Sequence, residues 1–175
     1  MSFLFNNCST LKSIDFVSCP TDNVTNMKAM FQFCNKLENL DLTNFNSSKV
    51  TNMSRMFYFC NKLKQIKGIN NFNTSNLTNM REMFQSCGEL EYLDLTNFDI
   101  SKVTDKELIF NGCNKLQIKG EEKFNKVQNE IKKDQPNSMN KKTSDEKSIK
   151  SNNSYHSRGN YYNNYYNNYV NESLN

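Results

Sequence analysis

The sequence predicts an α/β solenoid: coils of about 26 residues, each a helix followed by a short parallel strand, ending in a C-terminal tail without fixed structure. Three observations carry this. A unit of fourteen residues, Val50-Thr51-Asn52-Met53-Ser54-Arg55-Met56-Phe57-Tyr58-Phe59-Cys60-Asn61-Lys62-Leu63, recurs at Val24–Leu37, Leu77–Leu90 and Val103–Leu116. Within each copy the apolar spacing changes from helical to alternating. Beyond Leu116 the regularity fades.

The helical half rests on Val24, Met27, Met30, Phe31 and Cys34, which fall on one face of a 3.6-residue helix. Thr25-Asn26, Thr51-Asn52 and Thr78-Asn79 supply side-chain oxygens for the free N–H groups of a first helical turn. Asn35, Asn61, Gly88 and Asn114 tolerate the left-handed conformation that closes a helix. The extended half reads Leu37-x-x-Leu40-x-Leu42 and Leu90-x-x-Leu93-x-Leu95, with Leu11-x-x-Ile14-x-Phe16 as a first copy. The third copy carries one extra residue, so Gly68 is expected to form a bulge and Ile69 to take the place of Leu42. A coil of this kind cannot bury its apolar face alone; stacked copies form a continuous core.

The solenoid is expected over residues 1–120, a capping helix over 121–133 on the weak stripe Phe124, Val127 and Ile131, and a disordered tail over 134–175. The tail is rich in Asn, Ser and Lys and runs Tyr161-Tyr162-Asn163-Asn164-Tyr165-Tyr166 near its end, a composition open to self-association. At the other end Met1-Ser2-Phe3-Leu4-Phe5 aligns with Met27-Lys28-Ala29-Met30-Phe31, so the first coil is expected to be incomplete and the chain to be part of a longer repeat protein.

The net charge of +4 is interspersed through the repeats, leaving no basic stripe for nucleic acid. No run of about 18 apolar residues spans a membrane, and the start has neither the basic region nor the apolar length of a signal peptide. Cys8, Cys34, Cys60, Cys87 and Cys113 share one repeat phase, with gaps of 26, 26, 27 and 26, while Cys19 falls where later copies have Phe45, Phe72 and Phe98. So strict a phase reads as a ladder of small buried hydrophobes; disulfides between neighbouring coils and a zinc site are the alternatives, the latter lacking Cys-x-x-Cys and paired His ligands.

No catalytic residues, cofactor or metal site are expected. The one histidine, His156, lies in the tail, so no Cys–His or Ser–His nucleophile pair can be built within the repeats. Neither standard Gly-rich phosphate loop is present.

The string Leu-x-x-Leu-Asp-Leu-Thr-Asn-Phe…Val-Thr-Asn-Met-x-x-Met-Phe-x-x-Cys-x-x-Leu, read over Leu37–Leu63, resembles the repeat of BspA-like leucine-rich-repeat surface proteins. The resemblance covers about Met1–Leu116 and rests on Asn-Phe, Thr-Asn-Met, Met-Phe and Cys recurring together. It implies a leucine-rich-repeat solenoid with strands on one face and helices on the other, a cell-surface or secreted location, and a role in adhesion. It brings no catalytic residues.

The exposed strand positions form the candidate binding face: Lys12, Asp15, Glu38, Asp41, Lys64, Lys67, Glu91, Tyr92 and Asp94. Adjacent strands lie about 4.8 Å apart, so Lys64 is expected between Glu38 and Glu91, and Lys67 between Asp41 and Asp94. One reading is a self-neutralising charge ladder; the other is a recognition face for a protein or glycan, with Tyr92 as its aromatic. The function expected is a non-catalytic binding module, the alternative a structural segment of a larger repeat protein with no binding of its own.

Overall fold

The computed structural model describes residues 1–16 and 19–124. The repeat phase organises the backbone, but not through helices. Over 27–34 the N–H groups take turns. Those of Met30, Gln32 and Cys34 donate three residues back, to Met27, Ala29 and Phe31. Those of Met27, Ala29, Phe31 and Phe33 donate across to the carbonyls of Asn52, Ser54, Met56 and Tyr58 in the next copy, at 2.8–2.9 Å. The same two sets recur from 53–59 onto 79–85 and from 80–86 onto 105–111.

This ladder corrects the expected helical half. Ala29 (φ 54) and Phe33 (φ 61) are left-handed, as are Arg55 and Phe59, Glu82 and Ser86, and Leu108 and Gly112. Two left-handed residues four apart cannot belong to an α-helix; each is placed as the third residue of a type II turn. An L-residue there costs about 1–2 kcal/mol, and none of the residues used is β-branched, the type least able to adopt it. The inter-copy bonds leave no N–H of the segment orphaned, which offsets that cost. Asn35, Asn61, Gly88 and Asn114 lie two residues past the left-handed sites and do not close a helix. The Asn of each Thr-Asn pair makes a local turn instead: Oδ1 of Asn26, Asn52 and Asn79 accepts the N–H of Lys28, Ser54 and Arg81 at 2.9–3.0 Å.

The extended half forms four three-residue strands: β1 (Asn39–Asp41), β2 (Gln65–Lys67), β3 (Tyr92–Asp94) and β4 (Gln117–Lys119). They pair in parallel two by two. β1 sets Asn39, Leu40 and Asp41 against Gln65, Ile66 and Lys67, and β3 sets Tyr92, Leu93 and Asp94 against Gln117, Ile118 and Lys119. Between β2 and β3 the connection is one bond, Glu91 N–H to Lys64 O at 3.3 Å. The pairing follows an alternation of sequence, Leu-Asp-Leu-Thr at 40–43 and 93–96 against Ile-Lys-Gly at 66–68 and 118–120. Gly68 (φ 82) and Gly120 (φ 86) pack onto the backbones of Thr43 and Thr96, where a Cβ would come within 2.4 and 2.9 Å. Gly68 is thus not a bulge inside the strand; it ends β2 and opens a 3-10 turn at Ile69–Asn71. Ile69 is buried, as Leu42 is.

Columns of like residues fill the interior. Phe5, Phe31, Phe57, Phe84 and Phe110 stack ring on ring, with centroids 5.3–5.8 Å apart and planes within 11°. Such offset pairs add about 0.5–1.5 kcal/mol to the burial of each ring. The cysteine phase has a physical reason. The thiols of Cys34, Cys60, Cys87 and Cys113 donate to the carbonyls of Phe5, Phe31, Phe57 and Phe84 in the copy before, at 2.9–3.2 Å. Cys34, Cys60 and Cys87 are wholly buried, while Cys8, Cys19 and Cys113 are half-buried. Burial pushes the Cys34 thiol up to about 12, and those of Cys60 and Cys87 well above their ordinary value.

At the C-terminal end Glu122–Phe124 begins a helical turn. Phe124 is buried and meets Phe110 edge-on at 5.4 Å. The rest of the expected capping helix, 125–133, and the expected tail, 134–175 with His156, lie outside the described residues.

Candidate functional site

Where β2 and β3 part, an open groove of about 590 Å³ runs along the strand face. Its origin is local. The chain turns away at Gly68, so the ladder that would continue from β2 to β3 stops after its first bond. Five of the sequence-predicted residues line the groove: Lys64, Lys67, Glu91, Tyr92 and Asp94. The groove adds the side-chain amides of Asn39 and Gln65, which the sequence also places at exposed strand positions, and of Asn70, which sequence reasoning missed, with Ile66 and Ile69 at the floor. Glu38 and Asp41 stand beside it as ion-pair partners. Lys12 and Asp15 are exposed on the first copy and do not line it.

The charges pair in one direction only. Lys64 Nζ meets Glu38 Oε2 at 3.0 Å and Lys67 Nζ meets Asp41 Oδ2 at 2.8 Å, while Asp94 Oδ2 takes Lys119 Nζ at 3.0 Å. The expected placement of Lys64 and Lys67 between two acids is therefore half met. Each pairs within its own strand pair, and the break between β2 and β3 separates it from the second acid. The Lys67 ammonium, then the hydroxyl and N–H of Thr43, hold the Asp41 carboxyl at about 2. Thr96, then Lys119, do the same for Asp94, also at about 2. These exposed pairs contribute little stability each. Their consequence is electrostatic, because each lysine and the aspartate of the groove is met by an opposite charge beside it. Glu91 is left without an ion pair among the described residues.

Tyr92 supplies the groove's exposed aromatic surface and is 50% exposed. The other large apolar side chains this open among the described residues are Phe3 and Leu4, in the first copy. Asn39, Gln65 and Asn70 make no side-chain hydrogen bond among the described residues, so their amide donors and acceptors face solvent. The repeat alternation could have located Asn70, because the Gln65-Ile66-Lys67-Gly68 just before it recurs at 117–120 and marks where a strand pair ends.

A second polar cluster lies on the turn face. The Glu82 carboxylate, 4% exposed, takes Arg55 Nε at 2.5 Å and Arg81 Nε at 3.4 Å, and Arg81 also pairs with Glu107. Arg55 lies over the Tyr58 ring at 5.5 Å. Every charge in this cluster is met by another, so it ties three copies together. The same stacking logic applied to Arg55, Glu82 and Glu107 would have found it.

Among the described residues no group of three or more His, Cys, Asp or Glu side chains is arranged to hold a metal ion, and no helix is long and apolar enough to cross a membrane. The model of a family described as "Mycoplasma protein of unknown function, DUF285" matches residues 1–124 and again residues 27–156. The two matches begin 26 residues apart, one repeat. No curated protein and no solved structure matches the chain.

Proposed function

Because the chain belongs to this DUF285 family, whose description assigns no activity, we propose a function from its surface: a non-catalytic, adhesion-type binding module, built as a leucine-rich-repeat solenoid, whose strand face takes a protein or glycan. The copy-to-copy hydrogen-bond ladder supports the solenoid, with turns where the leucine-rich resemblance implies helices. The single observation behind the binding role is the groove between β2 and β3. It combines concavity, a half-exposed aromatic and side-chain amides with no hydrogen-bond partner among the described residues, over a floor of Ile66 and Ile69.

The test is capture by the immobilised full-length chain from a glycan array and a peptide library, with wild type beside Tyr92→Ala and Asn70→Ala. Support is a reproducible ligand whose capture falls in both variants while their melting temperatures match wild type. Capture indifferent to both substitutions, or no reproducible ligand, overturns the reading; the second outcome favours a purely structural repeat segment.

A further inference from the structure

We propose that the ligand of the β2–β3 groove is a neutral saccharide, its ring stacked on Tyr92 and its hydroxyls held by the amides of Asn39, Gln65 and Asn70 and the carboxylate of Glu91. This deepens the binding role above and rests on it.

The groove's charge state selects among ligand chemistries. A phosphate, sulfate or sugar carboxylate needs a cation not already engaged. Lys64 and Lys67 are engaged by Glu38 and Asp41 at 3.0 and 2.8 Å. The groove acid without an ion pair among the described residues is Glu91, so the groove offers an anion no unengaged cation of its own. An acidic peptide or nucleic acid is disfavoured on the same ground. An extended peptide added as a strand needs a straight backbone edge, but β2 is three residues long and ends at the left-handed Gly68.

What remains fits a neutral polyol. Each amide offers both a donor and an acceptor, matching a hydroxyl that does both. Tyr92 presents an apolar ring face with a polar rim to the C–H face of a sugar ring. The volume of about 590 Å³ lies within the range of small-ligand sites, roughly 300–1,000 Å³, enough for a short oligosaccharide.

The experiment is NMR titration of the full-length chain with maltotriose, mannotriose and triacetylchitotriose, beside a heparin tetrasaccharide and an acidic decapeptide, up to about 10 mM, where weak lectin-like affinities are visible. At least one neutral trisaccharide should shift the Tyr92 and Gln65 signals. Tyr92→Ala should weaken it about tenfold or more and Tyr92→Phe by under about threefold, since ring area and not the hydroxyl carries the stacking. Melting temperatures of both variants should match wild type. Binding confined to the heparin fragment or the peptide, with the same Tyr92 dependence, overturns the saccharide and leaves the groove as a binding site. Neutral sugars binding without regard to Tyr92 and Gln65 overturn both. No shift with any neutral probe overturns the saccharide.

Discussion

Gly68→Ala tests the physical account of the strand pairs most sharply. At φ 82 an L-residue costs about 1–2 kcal/mol. Its Cβ would stand 2.4 Å from Thr43 Cα and N and 2.7 Å from Leu42 C. All three are backbone atoms, so relief requires β1 and β2 to part. Overpacking of that kind costs about 1–3 kcal/mol, giving about 2–5 kcal/mol in all. At roughly 4 °C per kcal/mol for a domain of this size, the melting temperature should fall by about 8–20 °C. Three other glycines grade the effect. Gly120→Ala meets Thr96 backbone at 2.9 Å and should cost less. Gly112→Ala has φ 79 but nothing nearer than 3.3 Å, and should cost only the conformational part. Gly88→Ala meets nothing nearer than 4.0 Å and should be neutral. Thermal unfolding followed by circular dichroism reads all four. A Gly68→Ala protein that melts with wild type, or a Gly88→Ala protein damaged as much, would refute the reasoning.

Phe57, wholly buried and stacked between Phe31 and Phe84 at 5.7 and 5.3 Å, should cost about 3–5 kcal/mol on replacement by Ala; an unchanged urea midpoint would remove it from the core. The Asp41 carboxyl, at about 2 against 3.8 unpaired, should titrate by NMR well below the usual aspartate range and move up in Lys67→Met. Because the folded value lies below the unfolded one, this pairing stabilises above about pH 4 and is lost as the pH falls toward 2. Asp94 should respond more to Thr96→Val than to Lys119→Met, since Thr96 is its main partner. A bulky maleimide at neutral pH should leave native Cys60 and Cys87 unlabelled, both being wholly buried with thiols pushed far up. Mass spectrometry finding Cys60 modified as fast as half-buried Cys19 would contradict the buried ladder.

The repeat phase was legible because side chains at one phase stack on themselves: the Phe, Met and Cys columns and the strand register follow from spacing alone. The conformation linking them was not. Met27, Met30, Phe31 and Cys34 fit a helix face, but the same spacing serves a run of tight turns once the next copy supplies acceptors for alternate N–H groups. A single-copy periodicity argument contains no such acceptor. Left-handed Phe33 and Phe59 left no mark in the sequence, since only their Gly112 and Asn7 counterparts are residues that favour that conformation. In the site, Lys64, Lys67, Glu91, Tyr92 and Asp94 were legible as exposed strand positions. The groove itself was not, because it comes from Gly68 turning the chain away, where the reading expected one more strand in an even stack.

The alternation of Leu-Asp-Leu-Thr and Ile-Lys-Gly strands sets the step by which such a gene could grow or shrink. Recurring copies invite unequal recombination, which adds or removes whole repeats. Losing the copy that carries β2 would bring the strand of Asp41 beside that of Asp94, acid against acid, and leave Thr43 without the glycine packed on it. Losing the copy that carries β3 would set Lys67 against Lys119. Removing or duplicating two consecutive copies preserves every Asp–Lys contact and every Thr–Gly seat. Viable length variants should therefore differ by even numbers of repeats, each added strand pair bringing another groove of the same kind.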